Sequence, residues 1–242
     1  MVGLKLDGRF EVRARLGSGA MGDVYLAEQK SMKRDVAVKV LKKDRAADQE
    51  AVERFLVEVR AVSRLRSPHT VTVHDFGVDA QGMPYYVTEL LEGHSLYHLP
   101  QDLPLLPLER AADIVFQILF SLEEAHQEGV LHRDLKPDNV FILDRAGARD
   151  FVKVLDFGVA LLRDDPSRGQ SPDVALGTPV YMSPEAMTCS TMDERAYLYS
   201  VGVILFQMLT GELPVDGDDP ADLALRKLTV PIPKVSEIRG DS

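Results

Sequence analysis

Eight consecutive residues, His132-Arg133-Asp134-Leu135-Lys136-Pro137-Asp138-Asn139, bring a proton acceptor, a cation and an amide oxygen into one short segment. Pro137 bars a regular helix, so these groups must sit on an ordered loop. Asp134 can accept a proton, Lys136 can neutralise a transferring anion, and Asn139 can ligate a cation through its amide oxygen. Asp156, in Asp156-Phe157-Gly158, adds a carboxylate suited to a hard divalent cation such as Mg²⁺. Far upstream, Gly17, Gly19 and Gly22 form G-x-G-x-x-G, with Val24 continuing the pattern. Glycines of this spacing let backbone N–H groups approach a phosphate. Lys39 ends Val36-Ala37-Val38-Lys39, a strand pattern that turns the lysine inward, where it needs an acidic partner. Glu58 is the candidate. Taken singly, the glycines fit a ligand-free hairpin, the lysine a solvated edge position, and each acidic motif a turn. Their order along one chain favours phosphate and metal chemistry.

The elements that must position these residues follow from periodicity. Phe10–Leu16 and Val24–Glu28 read as strands flanking the glycine turn, and Asp35–Leu41 as a third. A strand directly after the glycines separates this loop from the dinucleotide fingerprint, which needs a helix there. Asp48 to Arg66 has helical spacing, with Phe55, Val59, Val62 and Leu65 near one face. Pro68 ends it, and Val71–Phe76 and Tyr85–Leu90 follow as strands joined through Gln81-Gly82. The second half is helical, clearest over Leu108–Gln127 and Ala196–Thr210, with Gly129 and Gly211 as stop signals. Short strands are expected at Val140–Leu143 and Val152–Leu155. A strand-rich lobe followed by a helical one suggests a cleft.

Together these motifs match the signature set of protein kinases, and the chain resembles the bacterial eukaryotic-type (Hanks-type) Ser/Thr kinases from about Phe10 to about Leu228. Gly177-Thr178-Pro179 and Ser183-Pro184-Glu185 complete the order. The resemblance implies an α+β, two-lobed protein-kinase-like fold. The kinase domain would cover 8–231, with a strand-rich N-lobe over about 8–88, a hinge over 89–93 and a helical C-lobe over 94–231, followed by a tail over 232–242. It further implies transfer of the ATP γ-phosphate to a protein Ser/Thr hydroxyl, with Mg²⁺ as cofactor and Mn²⁺ as an acceptable substitute. Asp134 would be the base, Lys136 would stabilise the transferred group, and Lys39, paired to Glu58, would contact the α- and β-phosphates. Asn139 and Asp156 would hold the metals. The ATP set would comprise Leu16, Gly17, Gly19, Gly22, Val24, Ala37, Lys39, Thr88 as gatekeeper, Glu89 and Leu91 of the hinge, and Phe141 beneath the adenine. Arg133 suggests a clamp for a phosphate between Gly158 and Ser183, with Ser167, Ser171 and Thr178 as candidate acceptors.

Two departures from the family pattern stand out. Asp193-Glu194-Arg195-Ala196-Tyr197 puts Tyr197 where an aspartate usually anchors the catalytic loop. The chain also ends at Ser242, so the C-lobe reads as truncated, without its final helices and the usual arginine partner of Glu185. An uncovered flank on the apolar helix Tyr197–Leu209 would favour self-association. The leading reading is an active Ser/Thr protein kinase. The alternative is a catalytically impaired kinase-like module that binds nucleotide or a partner, and a small-molecule kinase comes third. A net charge of −10 argues against a general nucleic-acid binder, while leaving room for local cations at a phosphate site. With Cys189 as the only cysteine, no signal peptide pattern and no spanning segment, a cytoplasmic protein without a membrane segment is expected.

Overall fold

Val36, Val38 and Val40 alternate with Ala37, Lys39 and Leu41, so one strand serves two different apolar faces. In the computed structural model this strand is β4 of the N-terminal unit. The structure describes residues 1–19, 22–99, 105–145, 148–157, 178–187 and 195–240. Two compact units divide the chain, one of residues 1–66 and 70–92, the other of residues 67–69 and 93–242.

The N-terminal unit is a six-stranded antiparallel sheet built from β1 (Lys5–Leu6), β2 (Phe10–Ser18), β3 (Gly22–Gln29), β4 (Arg34–Leu41), β5 (Val73–Val78) and β6 (Pro84–Glu89). Their spatial order is β1-β2-β3-β4-β6-β5. On one face Phe10, Val12, Tyr25, Ala27, Val36, Val38, Val40, Tyr85 and Val87 form a buried core. The other face of β4 meets α1 (Gln49–Val62), where Leu41, Phe55, Val59 and Tyr86 pack together. Asp48 caps α1 by accepting from the N–H groups of Glu50 and Ala51, which satisfies orphan donors of its first turn. The helix stops at Val62, short of the expected Arg66, with Ser63 as its C-cap.

In the C-terminal unit, α2 (Leu108–Gln127) buries Ala111, Ile114, Ile118, Leu122 and Ala125, the 3–4 spacing of one helical face. Gly129 ends the turn after it at φ 71°, a conformation costly for any other residue but Asn. A three-stranded sheet follows in the order β7 (Gly93–Ser95), β8 (Val140–Arg145), β9 (Ala148–Val154). The remaining helices are α3 (Pro184–Met187), α4 (Arg195–Thr210), α5 (Pro220–Thr229) and α6 (Val235–Arg239). α4 is apolar and mostly buried, yet Leu198 stands 60% exposed, so the helix is not covered all round. The segment expected as a tail contains α6, whose Arg239 donates to the carbonyls of Leu106 (3.0 Å) and Leu209 (3.3 Å). Strands β1 and β7 and helix α6 carry no clear pattern of their own in the sequence, whereas α5 has start signals in Asp219 and Pro220. Among the described residues no helix is long and apolar enough to cross a membrane.

Candidate functional site

In the N-terminal unit the site is built on β4. Register pairs Lys39 with Val24 on β3 and with Tyr86 on β6, and pairs Ala37 with Thr88. Val24, Ala37, Lys39, Tyr86 and Thr88 therefore share one face of the sheet. Lys39 is 9% exposed and its Nζ donates to Glu58 Oε1 at 3.1 Å. Glu58 is 1% exposed and also accepts from the Tyr86 hydroxyl at 3.0 Å. The Lys39 ammonium lies 5.6 Å from the centre of the Tyr86 ring, which adds a cation–π contact. A charge this deeply placed persists only because it is paired.

Gly19 N–H donates to Gly22 O at 2.9 Å across the glycine turn, and residues 20–21 lie outside the described residues. The three glycines are not equivalent. A Cβ at Gly22 would stand 2.7 Å from Val40 O, whereas Gly17 has open space and Gly19 meets nothing closer than 3.6 Å. Only Gly22 is dictated by packing within the protein. Leu16 is 52% exposed, and Glu89 uses its carboxylate to accept the Thr72 N–H at 2.9 Å. Leu91, just past β6, is half-buried.

In the C-terminal unit the loop after α2 concentrates the chemistry. Asp134 Oδ1 accepts the Thr178 N–H (3.0 Å) and the Thr178 hydroxyl (3.3 Å). Lys136 Nζ lies 2.9 Å from Asp134 Oδ2 and donates to Thr178 Oγ1 at 3.0 Å. Asn139 directs its NH₂ at Asp134, to the backbone carbonyl at 2.8 Å and to Oδ2 at 3.4 Å. That leaves the Asn139 amide oxygen as its ligating atom. Leu155 N–H donates to Asn139 O at 2.8 Å, which holds Asn139 on the segment beside Asp156. An amide oxygen and a carboxylate on adjacent segments form a donor set that fits a hard divalent cation. Phe141, half-buried on β8, is paired with Ser95 of β7.

His132 braces this arrangement from below. It is fully buried, its Nε2–H donates to Leu155 O at 2.9 Å, and its ring lies 4.6 Å from that of Phe157. Burial holds its pKa below the ordinary imidazole range, so the ring is neutral with the proton on Nε2. Arg133 (φ 59°) and Asp156 (φ 43°) both adopt left-handed backbone, an uncommon state for residues with a side chain. Gly158, Ser167, Ser171 and Gly177 lie outside the described residues.

Tyr197 is 2% exposed, with its ring centre 5.1 Å from that of His126. It lines a small cavity with Arg133, Asp134, Leu135, Thr178 and Ser200, directly against the loop that follows α2. Three participants were not singled out for these roles from the sequence: Tyr86 as a donor to Glu58, Thr178 as the main donor to Asp134, and Lys227, treated below. For Tyr86 a signal existed, since strand register places it opposite Lys39.

Residues 10–238 match the family model described as a protein kinase domain. The chain is 40% identical over its whole length to the serine/threonine-protein kinase Pkn3 of Myxococcus xanthus, spanning 45% of that protein. It is 35% identical over 96% of its length to the serine/threonine-protein kinase PrkC of Bacillus subtilis, spanning 35% of it. The chain thus covers less than half the length of both relatives. The crystal structure of the Mycobacterium tuberculosis PknI kinase domain superposes with a TM-score of 0.74 at 29% identity, over all of this chain and 86% of that one. A loop that gathers a threonine, a lysine and an asparagine around one carboxylate now has its context: the chain belongs to the protein kinase domain family, on its bacterial eukaryotic-type Ser/Thr branch.

Proposed function

We propose that this domain transfers the γ-phosphoryl group of ATP to a serine or threonine hydroxyl of a protein. The observation that carries the reading is Asp134, whose carboxylate is oriented by Thr178, Lys136 and Asn139 at once. Asp134 accepts the proton of the attacking hydroxyl. Lys136, within reach of the same carboxylate, neutralises charge on the transferred group, while Lys39, held by Glu58, contacts the α- and β-phosphates. Val24, Ala37, Thr88, Glu89, Leu91 and Phe141 receive the adenine, Leu16 closes over it, and Gly17, Gly19 and Gly22 cover the phosphates. Asn139 and Asp156 are the residues that would hold Mg²⁺ or Mn²⁺, which supplies charge neutralisation on the phosphates. Positioning and local positive charge supply most of the rate. Transfer of radiolabel from ATP to a generic protein substrate, run beside Asp134→Asn, tests the reading. Label incorporation equal in the two proteins would sink it.

ATP affinity should depend on the divalent ion, because Asp156 otherwise sets a carboxylate against the phosphates. Titration of ATP with Mg²⁺ and with excess chelator should show clearly weaker binding in chelator. Equal affinities would remove Asp156 and Asn139 from the metal site.

One observation favours slower transfer: Tyr197 occupies the space beside Arg133 and Asp134 where an aspartate would accept hydrogen bonds from the loop. Tyr197→Asp should raise kcat with little change in ATP affinity. Losing the ring against His126 should lower stability by about 3–5 kcal/mol, the usual range for truncating a buried aromatic. An unchanged or lower kcat in the folded variant would show that the loop is already anchored otherwise.

A further inference from the structure

Pro179–Tyr181 forms a single 3-10 turn capped by Met182, and the carbonyls of these four residues have no strand or α-helical ladder to pair with. Buried backbone acceptors must find partners elsewhere. Here two side chains from the helices beneath supply them. Ser200 of α4 donates to Tyr181 O at 2.8 Å. Lys227 of α5 donates to Pro179 O (2.7 Å), Val180 O (3.0 Å) and Met182 O (2.5 Å), one acceptor for each ammonium proton. Pro179 O additionally takes the Met182 N–H at 3.2 Å. The Tyr199 ring, with its centre 5.1 Å from Lys227 Nζ, fills the remaining side.

That turn begins at Thr178, whose N–H and hydroxyl both hold Asp134 Oδ1. A continuous path therefore runs from Lys227 through the turn to Thr178 and on to the base. Among the described residues Lys227 donates to the carbonyls of the turn and not to Asp134, Lys136 or Asn139, so any effect on them passes through the backbone of the turn. We infer that Lys227 is a positioning residue, which fixes the 178–182 turn and through it the orientation of Asp134 for phosphoryl transfer. The inference rests on the kinase reading above. Burial pulls the lysine pKa down to about 8, against which the three carbonyls and the ring favour the protonated form. A merely solvated lysine on the polar side of α5 would show neither feature.

Lys227→Met removes all three donors. Lys227→Arg keeps the charge and much of the reach, but spreads its donors in one plane, so it cannot meet three converging carbonyls equally. Misplacing a catalytic group by about an ångström can cost ~10²-fold. Lys227→Met should lower kcat by ~10- to 10²-fold with the KM for ATP unchanged, and Lys227→Arg should restore only part of it. The path supplies a sharper test. In a cycle with Thr178→Ala, the double variant should lose little more than the more damaging single one, since both act on the same carboxylate. Fully additive losses would overturn the inference, as would a kcat within twofold of wild type in Lys227→Met. Should Lys227→Met fail to fold, wild-type kcat in folded Lys227→Arg overturns the inference, and a tenfold loss there supports it.

Hydrogen exchange separates this result from failure of the kinase reading. Faster exchange at the Thr178 and Tyr181 amides in Lys227→Arg, at an unchanged melting temperature, supports the clamp even if wild-type protein transfers no phosphate. Unchanged exchange overturns it even if wild-type protein is fully active.

Discussion

Lys39→Met should cut phosphoryl transfer by ~10²–10³, the usual loss on removing one electrostatic stabiliser of a developing charge. It should also destabilise the N-terminal unit. Lys39 and Glu58 are both buried, so the substitution takes the ammonium partner away from a carboxylate that also accepts from the Tyr86 hydroxyl. Breaking a buried pair from one side typically costs ~3–5 kcal/mol. The side chain therefore has a structural role beside its proposed contact with the phosphates. Adding Glu58→Gln removes that carboxylate charge, so the double variant should recover much of the lost melting temperature and none of the lost transfer. Melting curves and radiolabel transfer on the wild type, the single and the double variant decide the matter. Recovery of transfer together with stability would mean that Lys39 acts only through folding.

Asp134→Asn should lower transfer by ~10²–10⁴, the range associated with a positioned general base. The amide is nearly isosteric, so the loop should keep its shape, and melting should change far less than in Lys39→Met. Two physical effects act together. An amide cannot take the hydroxyl proton, and its NH₂ group must face either the Thr178 donors on one side or Lys136 and Asn139 on the other. Turning that NH₂ toward any of them sets donor against donor, which leaves a group in this site unsatisfied. Binding of ATP should be little affected, because Asp134 is not among the proposed phosphate or metal ligands. A folded Asp134→Asn protein transferring within tenfold of wild type would move the base to another residue.

An overall charge of −10 is compatible with phosphate chemistry because the positive groups are locally committed. Lys39 and Lys136 are each held by a carboxylate, which keeps them aimed. Net charge governs long-range steering, whereas catalysis depends on groups within a few ångströms of the reacting atoms.

Sequence by itself determined the family, the longer elements and the candidates for the chemistry. It could do so because those features are local: strand alternation, 3–4 helical spacing, the glycines at 17, 19 and 22, and the run from His132 to Asn139. Even the Lys39–Glu58 partnership was legible, since an inward lysine demands an acid and Glu58 falls on the buried stripe of α1 beside Phe55 and Val59. Helix α2 begins and ends where its apolar spacing says, at Leu108 and Gln127. The strands β1 and β7 were not legible, for with two and three residues they exist only because β2 and β8 offer an edge. Only tertiary structure decided which donors converge on Asp134 and Glu58. Thr178 lies 44 residues from Asp134, Tyr86 lies 28 from Glu58, and Lys227 lies 48 from Pro179. No periodicity reaches across such separations, so a threonine in a turn, a tyrosine in a strand and a lysine near a helix end look ordinary until the chain folds. Burial then makes each donor obligatory, because a carbonyl or carboxylate taken from water must be given another partner.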